Sequence, residues 1–171
     1  MIFFLTGFMG SGKSYWGKKW ASANDYTFVD LDEVIENAEG KTIADIFEIK
    51  GEDYFREIEG TYLRSFADAN NTIIACGGGT PCFHENMQWM NDHGTTLYLL
   101  TTAPQILDRV LAEQEKRPLI KKMNQGELLF FIEQKLKERT PFYTQAKLVI
   151  PSTELSVQTF RNLFFAKQST A

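Results

Sequence analysis

The fold is decided by the stretch Gly7-Phe8-Met9-Gly10-Ser11-Gly12-Lys13-Ser14, which follows the pattern G-x-x-x-x-G-K-[ST] of a phosphate-binding loop. Its glycines let the backbone turn so that successive N–H groups point at phosphate oxygens. A helical pattern begins directly after the loop, and the positive end of that helix adds to the attraction. In this pattern Lys13 contacts the β- and γ-phosphates and the Ser14 hydroxyl coordinates Mg²⁺. The stretch therefore predicts a nucleoside triphosphate site.

The alternative is a glycine-rich turn with an incidental lysine. An apolar run directly before the loop and a helical pattern directly after it are the context that phosphate-binding loops require, and they speak against this alternative. The chain lacks both N-K-x-D and D-x-x-G, which excludes a GTPase switch, and it is short for a motor or an AAA-type machine. A small phosphotransferase remains.

Two kinds of segment alternate along the chain. Short apolar runs suit buried parallel strands, and they are Ile2–Thr6, Thr27–Val29, Thr72–Ala75, Thr96–Leu100 and Lys147–Ile150. Longer stretches with apolar spacing near 3.6 suit helices, and they are Lys13–Ala23, Glu52–Ala67, Pro104–Glu113, Leu128–Glu138 and Val157–Phe165. This alternation predicts an α/β fold with a five-stranded parallel sheet between two layers of helices, a three-layer α/β/α arrangement.

Composition narrows the class of protein further. The 171 residues carry 18 Lys and Arg against 22 Asp and Glu, a net charge of −4, so no basic excess is present to bind a nucleic-acid backbone. No apolar run approaches the ~18 residues of a membrane span. The apolar start Met1–Leu5 lacks the basic residues of a leader peptide and predicts a buried strand instead. Two cysteines fit a reducing compartment. We expect one cytoplasmic domain over residues 1–171.

Two carboxylates follow the second predicted strand. Asp30 and Asp32 lie two residues apart, so along an extended backbone their side chains project together toward the ligand crevice. There one carboxylate can face a metal while the other accepts or orients a hydroxyl proton. The alternative is helix capping, because Asp30 with Glu33 fits a capping box. Spacing alone leaves both interpretations open.

Further candidate ligand residues lie in the next helix and strand. Arg56 and Glu59 are three residues apart on one helix face, which alone favours a plain surface ion pair. Gly77, Gly78 and Gly79 follow a buried strand and leave bare backbone that a ligand can approach closely. A tight surface turn is the alternative for the glycines, and we favour the ligand site.

Two arginines precede prolines in the second half of the chain. Arg117 lies in a polar segment at about 113–125, which is either a lid or a surface loop. Arg139 is expected at the end of a helix, because Pro141 cannot continue one. A guanidinium offers a fixed fork that matches a carboxylate or a phosphate.

Together these motifs resemble the shikimate kinase family, in the same order over nearly the whole chain. The specific combination is Asp30-x-Asp32, Gly51-Glu52-x-x-Phe55-Arg56-x-x-Glu59, Gly77-Gly78-Gly79, Arg117-Pro118-Leu119 and Arg139-x-Pro141-x-Tyr143. The resemblance implies a P-loop NTPase fold of the nucleoside monophosphate kinase type. It also implies transfer of the γ-phosphoryl group of ATP, with Mg²⁺, to the 3-hydroxyl of shikimate, a step toward aromatic amino acids. We expect a monomer that acts on small molecules, with no nucleic-acid or membrane partner.

The resemblance also implies a role for each matching residue in the acceptor site. Shikimate would be held by Asp32, Arg56, Gly77, Gly78, Gly79 and Arg139. The two arginines would grip its carboxylate, and Asp32 would act as the base on the hydroxyl that is phosphorylated. Glu59 would orient Arg56 from behind.

On the nucleotide side, the implied set is Gly10, Ser11, Gly12, Lys13, Ser14, Tyr15, Arg109 and Arg117. Lys13 and Arg117 would be catalytic, with Arg117 closing over ATP as part of the lid and Arg109 stacking on adenine. Ser14 and Asp30 would hold Mg²⁺, Asp30 through a water.

The sequence departs from the family at one notable position and has one unusual glycine. Many relatives carry Thr where this chain has Tyr15, whose phenol does not occupy the volume of a threonine hydroxyl. Gly60 lies in a predicted helix interior, where it costs about 1 kcal/mol relative to Ala. The sequence gives no reason for it.

Two other functions are compatible with the phosphate-binding loop. Another small-molecule kinase, such as a gluconate kinase, shares the architecture, but the paired arginines and the glycine run argue against it. A nucleotide-gated binding protein would bind ATP without turnover.

Overall fold

Five parallel strands form the central sheet of the computed structural model, which describes residues 1–112, 120 and 122–165. They are β1 (Ile2–Thr6), β2 (Thr27–Asp30), β3 (Thr72–Ala75), β4 (Thr95–Leu100) and β5 (Leu148–Pro151). Their order across the sheet is β2-β3-β1-β4-β5, so the first strand of the chain is the central one. The prediction of a five-stranded parallel sheet is confirmed.

Helices cover both faces of this sheet. They are α1 (Lys13–Ala23), α2 (Leu31–Glu39), α3 (Ile43–Arg64), α4 (Asn86–His93), α5 (Ala103–Leu111), α6 (Gln125–Tyr143) and α7 (Val157–Phe164). A short 3-10 turn, Thr80–Cys82, follows β3. The three-layer α/β/α arrangement is therefore confirmed.

Helix α3 begins nine residues earlier than the sequence pattern predicts. Thr42 caps it, since its side chain accepts from the backbone N–H of Asp45 and the Asp45 side chain accepts in return. Inside the helix Gly51 has φ +84°, a left-handed conformation that bends the chain. The segment from Glu52 onward is the part that the apolar spacing predicts.

The end of helix α6 also differs from expectation. The helix continues through Pro141 to Tyr143, so the prediction that Pro141 stops it is wrong. Near the last turn a proline removes only one backbone donor, and the Thr140 hydroxyl donates to the carbonyl of Leu136 at 2.6 Å. Arg139 therefore projects from an intact helix.

Strand β1 contributes to two hydrophobic clusters, one on each face of the sheet. Ile2 and Phe4 pack on the side of α2, α3 and α4, whereas Phe3 and Leu5 pack on the side of α1 and α7. Successive strand residues point to opposite faces, which explains the division. A third cluster joins Phe8 of the phosphate loop to α5 and α6. The phosphate loop is thus held by strand β1, which precedes it, and by the packing of Phe8 against α5 and α6.

The predicted lid at about 113–125 lies largely outside the described residues, as does Arg117. Asn124 caps α6 in a capping box with Glu127, which gives that helix its beginning. None of the helices in the described part of the chain is long and apolar enough to cross a membrane.

Candidate active site

A cavity of about 720 Å³ opens at the carboxyl edge of β1, β2 and β3. In α/β folds this edge is where ligands bind. The cavity is lined by Met9, Gly10, Gly12, Lys13, Ser14, Tyr15, Trp16, Asp30, Asp32, Cys76, Gly77, Gly78, Arg109 and Ala112. The predicted phosphate loop, both predicted carboxylates and two of the predicted glycines therefore share one crevice.

The phosphate loop Gly7–Ser14 has the backbone that its glycines suggest. Gly7, Gly10 and Gly12 have φ values of +138°, +74° and +94°, which residues other than glycine rarely adopt. Ser11 is buried, and its hydroxyl has no hydrogen-bond partner among the described residues. The loop leads directly into α1, whose first residues Lys13 and Ser14 line the cavity, so the unpaired N–H groups of a helix start are available to a ligand there.

Lys13 is held by the loop itself. Its ammonium group donates to the carbonyls of Gly7 at 2.8 Å and Phe8 at 2.9 Å. Burial lowers the pKa of Lys13 from its usual 10.5 to about 8, although the nearby Asp32 carboxylate opposes this shift. An incoming phosphate would compensate the buried ammonium further, which is what a phosphate-binding lysine requires.

Ser14 and Asp30 form a pair of oxygen donors next to the loop. The Ser14 hydroxyl donates to Asp30 Oδ2 at 2.6 Å, and Asp30 Oδ1 accepts from the backbone N–H of Asp32 at 3.2 Å. Asp30 therefore caps α2 and also lines the cavity. The cap accepts from the N–H of Asp32 and not from that of Glu33, as the predicted capping box would require. A role of Asp30 beside a metal stays a prediction. Magnesium prefers oxygen ligands and keeps several waters, which fits one hydroxyl and one carboxylate beside a phosphate site. Within the described residues no larger cluster of metal-ligating side chains occurs.

Asp32 reaches the cavity by a different geometry from the one expected. Strand β2 ends at Asp30 and helix α2 begins at Leu31, so the two aspartates do not lie along one extended segment. Asp32 instead projects from the first turn of α2. Burial raises the pKa of Asp32 from its usual 3.8 to about 6, and repulsion by Asp30 and Glu59 adds to the rise.

The glycine triplet Gly77–Gly79 lets charged side chains approach one loop. A Cβ on its first glycine would lie 3.0 Å from Asp32 Oδ1, and one on its second would lie 3.2 Å from Arg139 Nη1. A Cβ on the third would lie 2.5 Å from Arg56 Nη2, a distance that real side chains do not allow. Side chains on the triplet would therefore displace the carboxylate and the two guanidinium groups that converge there.

Arg56 and Glu59 form a buried ion pair rather than the surface pair that their spacing suggests. Arg56 Nη1 donates to Glu59 Oε2 at 2.9 Å, and the Glu59 side chain is fully buried. The guanidinium also lies 4.4 Å from the ring centroid of Phe83, and its other edge contacts Glu52 at 3.2 Å. Helix spacing reports which residues share a face, but it does not report whether that face is covered.

Arg139, unlike Arg56, contacts an aromatic ring and forms no ion pair with the described residues. Its guanidinium lies 5.4 Å from the ring centroid of Phe8, and no carboxylate among the described residues is within ion-pair distance. From the same helix, Tyr143 donates to the carbonyl of Gly78 at 2.6 Å. Arg139 also borders a second cavity of about 300 Å³, lined by Glu52, Cys82, Phe83, Lys135, Glu138, Arg139 and Phe142. It is a cation available to an anionic ligand.

Arg109 and two aromatic residues also line the first cavity. Arg109 Nη1 donates to the carbonyl of Gly10 at 2.9 Å, which fixes it beside the phosphate loop. Tyr15 is 57% exposed and lies edge-on against Trp16, with ring centroids 5.1 Å apart. Trp16 packs against the core cluster on the α1 face and also lines the cavity, a position that the sequence analysis did not predict. Its position two residues after Ser14 is the signal that could have indicated it.

Sequence reasoning also missed the residues that support the site from behind. They are Thr80, Phe83, Asn86 and Tyr143. Tyr143 belongs to a quoted motif but was given no role, and Thr80 directly follows the glycine triplet. Phe83 and Asn86 carry no local signal, because their partners lie more than five residues away in the chain.

One crevice at the carboxyl edge of the parallel sheet thus contains the phosphate loop, the carboxylates Asp30 and Asp32 and part of the glycine triplet. Arg56 and Arg139 lie beside the triplet. Fold and site together define a P-loop kinase of small molecules. A profile of the shikimate kinase family matches residues 9–166. A shikimate kinase from Bacteroides thetaiotaomicron is 40% identical over 152 residues, which cover 89% of this chain and 87% of that protein. The chain therefore belongs to the shikimate kinase family.

Solved structures agree with this assignment. The crystal structure of shikimate kinase from Bacteroides thetaiotaomicron superposes with a TM-score of 0.91 at 37% identity and covers 95% of this chain and 97% of that one. Shikimate kinase from Acinetobacter baumannii, solved in complex with shikimate, has a TM-score of 0.79 at 31% identity. That match covers 95% of this chain and 87% of the other.

Proposed function

We propose that this chain transfers the γ-phosphoryl group of ATP to the 3-hydroxyl of shikimate. One observation carries the proposal: Asp32, Arg56 and Arg139 converge on the glycine triplet, and Asp32 shares a cavity with Lys13. An acceptor with both a carboxylate and a hydroxyl is the ligand that two arginines and one carboxylate suit. The shikimate complex of the relative from Acinetobacter baumannii supports the same acceptor.

The acceptor is held by its charge. Arg139, which has no carboxylate partner among the described residues, and Arg56 bind the carboxylate of shikimate. The bare backbone of Gly77, Gly78 and Gly79 lets the ring lie close to the loop. Binding at both ends orients the 3-hydroxyl toward the phosphate site, and phosphoryl transfer depends chiefly on such positioning.

Asp32 takes the proton of the hydroxyl. A pKa raised by burial to about 6 leaves this carboxylate ionised at neutral pH while making it a stronger base than an exposed aspartate. As the acceptor oxygen bonds to the γ-phosphorus, the bond from that phosphorus to the β,γ-bridging oxygen breaks and ADP leaves with its electron pair. The hydroxyl proton moves to Asp32.

The nucleotide is bound by the phosphate loop and its surroundings, through Gly10, Ser11, Gly12, Lys13, Ser14, Tyr15, Arg109 and Arg117. Lys13 neutralises charge on the β- and γ-phosphates, and Arg109, which lines the same cavity, stacks on adenine. Ser14 and Asp30 would hold Mg²⁺, which offsets charge on the phosphate oxygens when bound. The resemblance to the family gives Arg117 and the segment at about 113–125, which lie largely outside the described residues, the role of a lid over ATP. The protein acts as a cytoplasmic monomer on small molecules.

The test is ADP release measured with Mg²⁺ and a panel of hydroxylated acids. We expect shikimate, and no other acid of the panel, to stimulate ADP release strongly. Stimulation by gluconate without stimulation by shikimate would favour another small-molecule kinase. ATP binding without turnover, unchanged in Asp32→Asn, would favour a nucleotide-gated binding protein. Either of these results overturns the proposal.

A further inference from the structure

A buried polar network lies behind the arginine that faces the acceptor. Glu59 is fully buried and uses both carboxylate oxygens: Oε2 accepts from Arg56 Nη1 at 2.9 Å, and Oε1 accepts from the Thr80 hydroxyl at 2.6 Å. Thr80 is also fully buried. A short hydrogen bond to a buried carboxylate is among the stronger ones in a protein, so it restricts the orientation of Glu59.

Thr80 is itself fixed from the opposite side. The Asn86 side chain donates to the carbonyl of Thr80 at 3.0 Å, and Asn86 is fully buried. Asn86 Oδ1 in turn accepts from Arg64 Nη1 at 2.7 Å. The 3-10 turn after the glycine triplet is therefore joined to helix α3 at two places, through Glu59 and through Arg64.

Gly60 makes room for the second junction. Arg64 Nη1 also donates to the carbonyl of Gly60 at 3.0 Å, and a Cβ on Gly60 would lie 3.0 Å from that same nitrogen. A side chain here would press on the Arg64 guanidinium. The glycine that is unfavourable for the helix is thus explained by the network.

The two edges of Arg56 have different partners. Nη1 faces buried Glu59, whereas Nε and Nη2 both donate to Glu52 Oε1 at 3.2 Å, and the Glu52 side chain is about half exposed. An exposed carboxylate is exchanged for another at little cost, but a buried one is not. The Nε and Nη2 edge is therefore the edge that an acceptor carboxylate can take.

We propose that Thr80 is a positioning residue for the acceptor site. Its hydroxyl fixes Glu59, and Glu59 fixes Arg56 so that the Nε and Nη2 edge can exchange Glu52 for the acceptor. This inference rests on the proposed function. Without the Thr80 hydroxyl, Glu59 Oε1 loses its donor inside the protein and competes for the other N–H groups of Arg56. The guanidinium then turns from the acceptor, while the phosphate loop is untouched.

The experiment compares Thr80→Val, which keeps the shape and removes the hydroxyl, with Thr80→Ser, which keeps the hydroxyl. In Thr80→Val the KM for shikimate should rise about tenfold, as expected for one hydrogen bond to a charged group. The KM for ATP should not change, and Thr80→Ser should restore the KM for shikimate. Thr96→Val is the matched control, since Thr96 is buried and donates to Asn91 Oδ1 at 2.6 Å, away from the site.

Thr80→Ala, which adds no new contacts, is measured in the same way in case the valine variant does not fold. A wild-type KM for shikimate in a folded variant without the hydroxyl would overturn the inference, as would an equal rise in both KM values. These results differ from failure of the proposed function, in which the wild-type protein itself shows no shikimate-dependent ADP release.

Discussion

Asp32 shows how the demands of chemistry and of folding conflict at a single residue. Its carboxylate is buried near two other carboxylates, so its pKa is raised to about 6, first by desolvation and then by repulsion. At neutral pH the folded protein must hold this group ionised in surroundings that disfavour its charge. The residue that would accept the proton therefore reduces the stability of the empty protein.

Replacing this carboxyl by an amide should separate the two effects. Asp32→Asn should lower shikimate-dependent ADP release at least about 100-fold, because the base is lost. The same change should raise the free energy of unfolding at pH 7 by about 1–3 kcal/mol, because a charge is no longer buried. Urea unfolding in EDTA, without ligands, measures this stability.

The sign of the pH dependence follows from the raised pKa. Well below pH 3.8, the usual pKa of an aspartate, Asp32 is protonated in both the folded and the unfolded state, so the advantage of the amide should vanish there. It should grow as pH rises to about 6 and then stay constant. Asp68→Asn, at an exposed position, is the control. An Asp32→Asn variant that is less stable than the wild type at pH 7 would contradict this account.

Arg139 provides a second prediction for a single side chain. Arg139→Ala should raise the KM for shikimate on the order of 100-fold, since a charge-assisted contact to a carboxylate is lost. The KM for ATP should change little, because Arg139 does not line the cavity that contains the phosphate loop. Lys137→Ala, on the exposed face of the same helix, is the control. The reverse pattern of KM values would remove Arg139 from the acceptor site.

At the scale of elements, helix α6 is fastened to the glycine triplet by one hydrogen bond. Tyr143 is fully buried, and its hydroxyl donates to the carbonyl of Gly78 at 2.6 Å. Arg139 lies one helical turn earlier, so this bond sets the distance between the guanidinium and the backbone of the loop. Two parts of the acceptor site are thereby held in register by a residue that need not touch the acceptor.

Tyr143→Phe should remove this hydrogen bond and let the distance between helix α6 and the glycine triplet vary. We expect a loss of about 1 kcal/mol in stability, the contribution of one buried hydrogen bond, and a rise in the KM for shikimate without a rise in the KM for ATP. Tyr98→Phe is the control, because Tyr98 packs against Tyr143 with ring centroids 5.0 Å apart but does not bond to the loop. Equal KM changes in the two variants would show that loss of a buried hydroxyl anywhere in this ring pair has the same effect, and that the bond to Gly78 has no special role.

The sequence predicts some elements better than others, for physical reasons. Strands β1 and β3 have the predicted bounds, because strands buried on both faces read as continuous apolar runs. The start of α3 was missed because the left-handed Gly51 interrupts the apolar spacing. Thr42 and Asp45, which form the capping box, were the local signal for it.

The candidate site divides in the same way. Residues within one motif, such as Lys13 and Ser14, line the cavity as the sequence predicts, because their placement depends on local backbone. Burial of Glu59 could not be predicted, since its cover comes from Thr80, 21 residues further on. Contacts of that range arise from the packing of elements and leave no periodic pattern.

At the scale of the whole molecule, the two hydrophobic clusters depend on the same sheet. Phe3 and Leu5 belong to one cluster, Ile2 and Phe4 to the other, and all four are buried. Loss of either helical layer would expose one side of β1 and weaken the packing of the other. The described part of the chain should therefore unfold as a unit.

Tryptophan fluorescence can test this cooperativity, because Trp16 and Trp20 lie on one face and Trp89 on the other. In Trp89→Phe, fluorescence reports only the α1 face, whereas far-UV circular dichroism reports all helices. The two urea transitions should coincide, as they should in the wild-type control. Separate midpoints would show that one layer unfolds before the other.

The position of β1 at the centre of the sheet has a consequence for biosynthesis. Its neighbours are β3, which begins at Thr72, and β4, which begins at Thr95, whereas β2 does not pair with it. A chain emerging from the ribosome therefore carries its most apolar strand for several seconds, at about 5–20 residues per second, before any partner strand has been made. During that interval Ile2–Leu5 has none of the strand partners that flank it in the folded sheet, and β1 can join the sheet only after Thr72–Ala75 has been made.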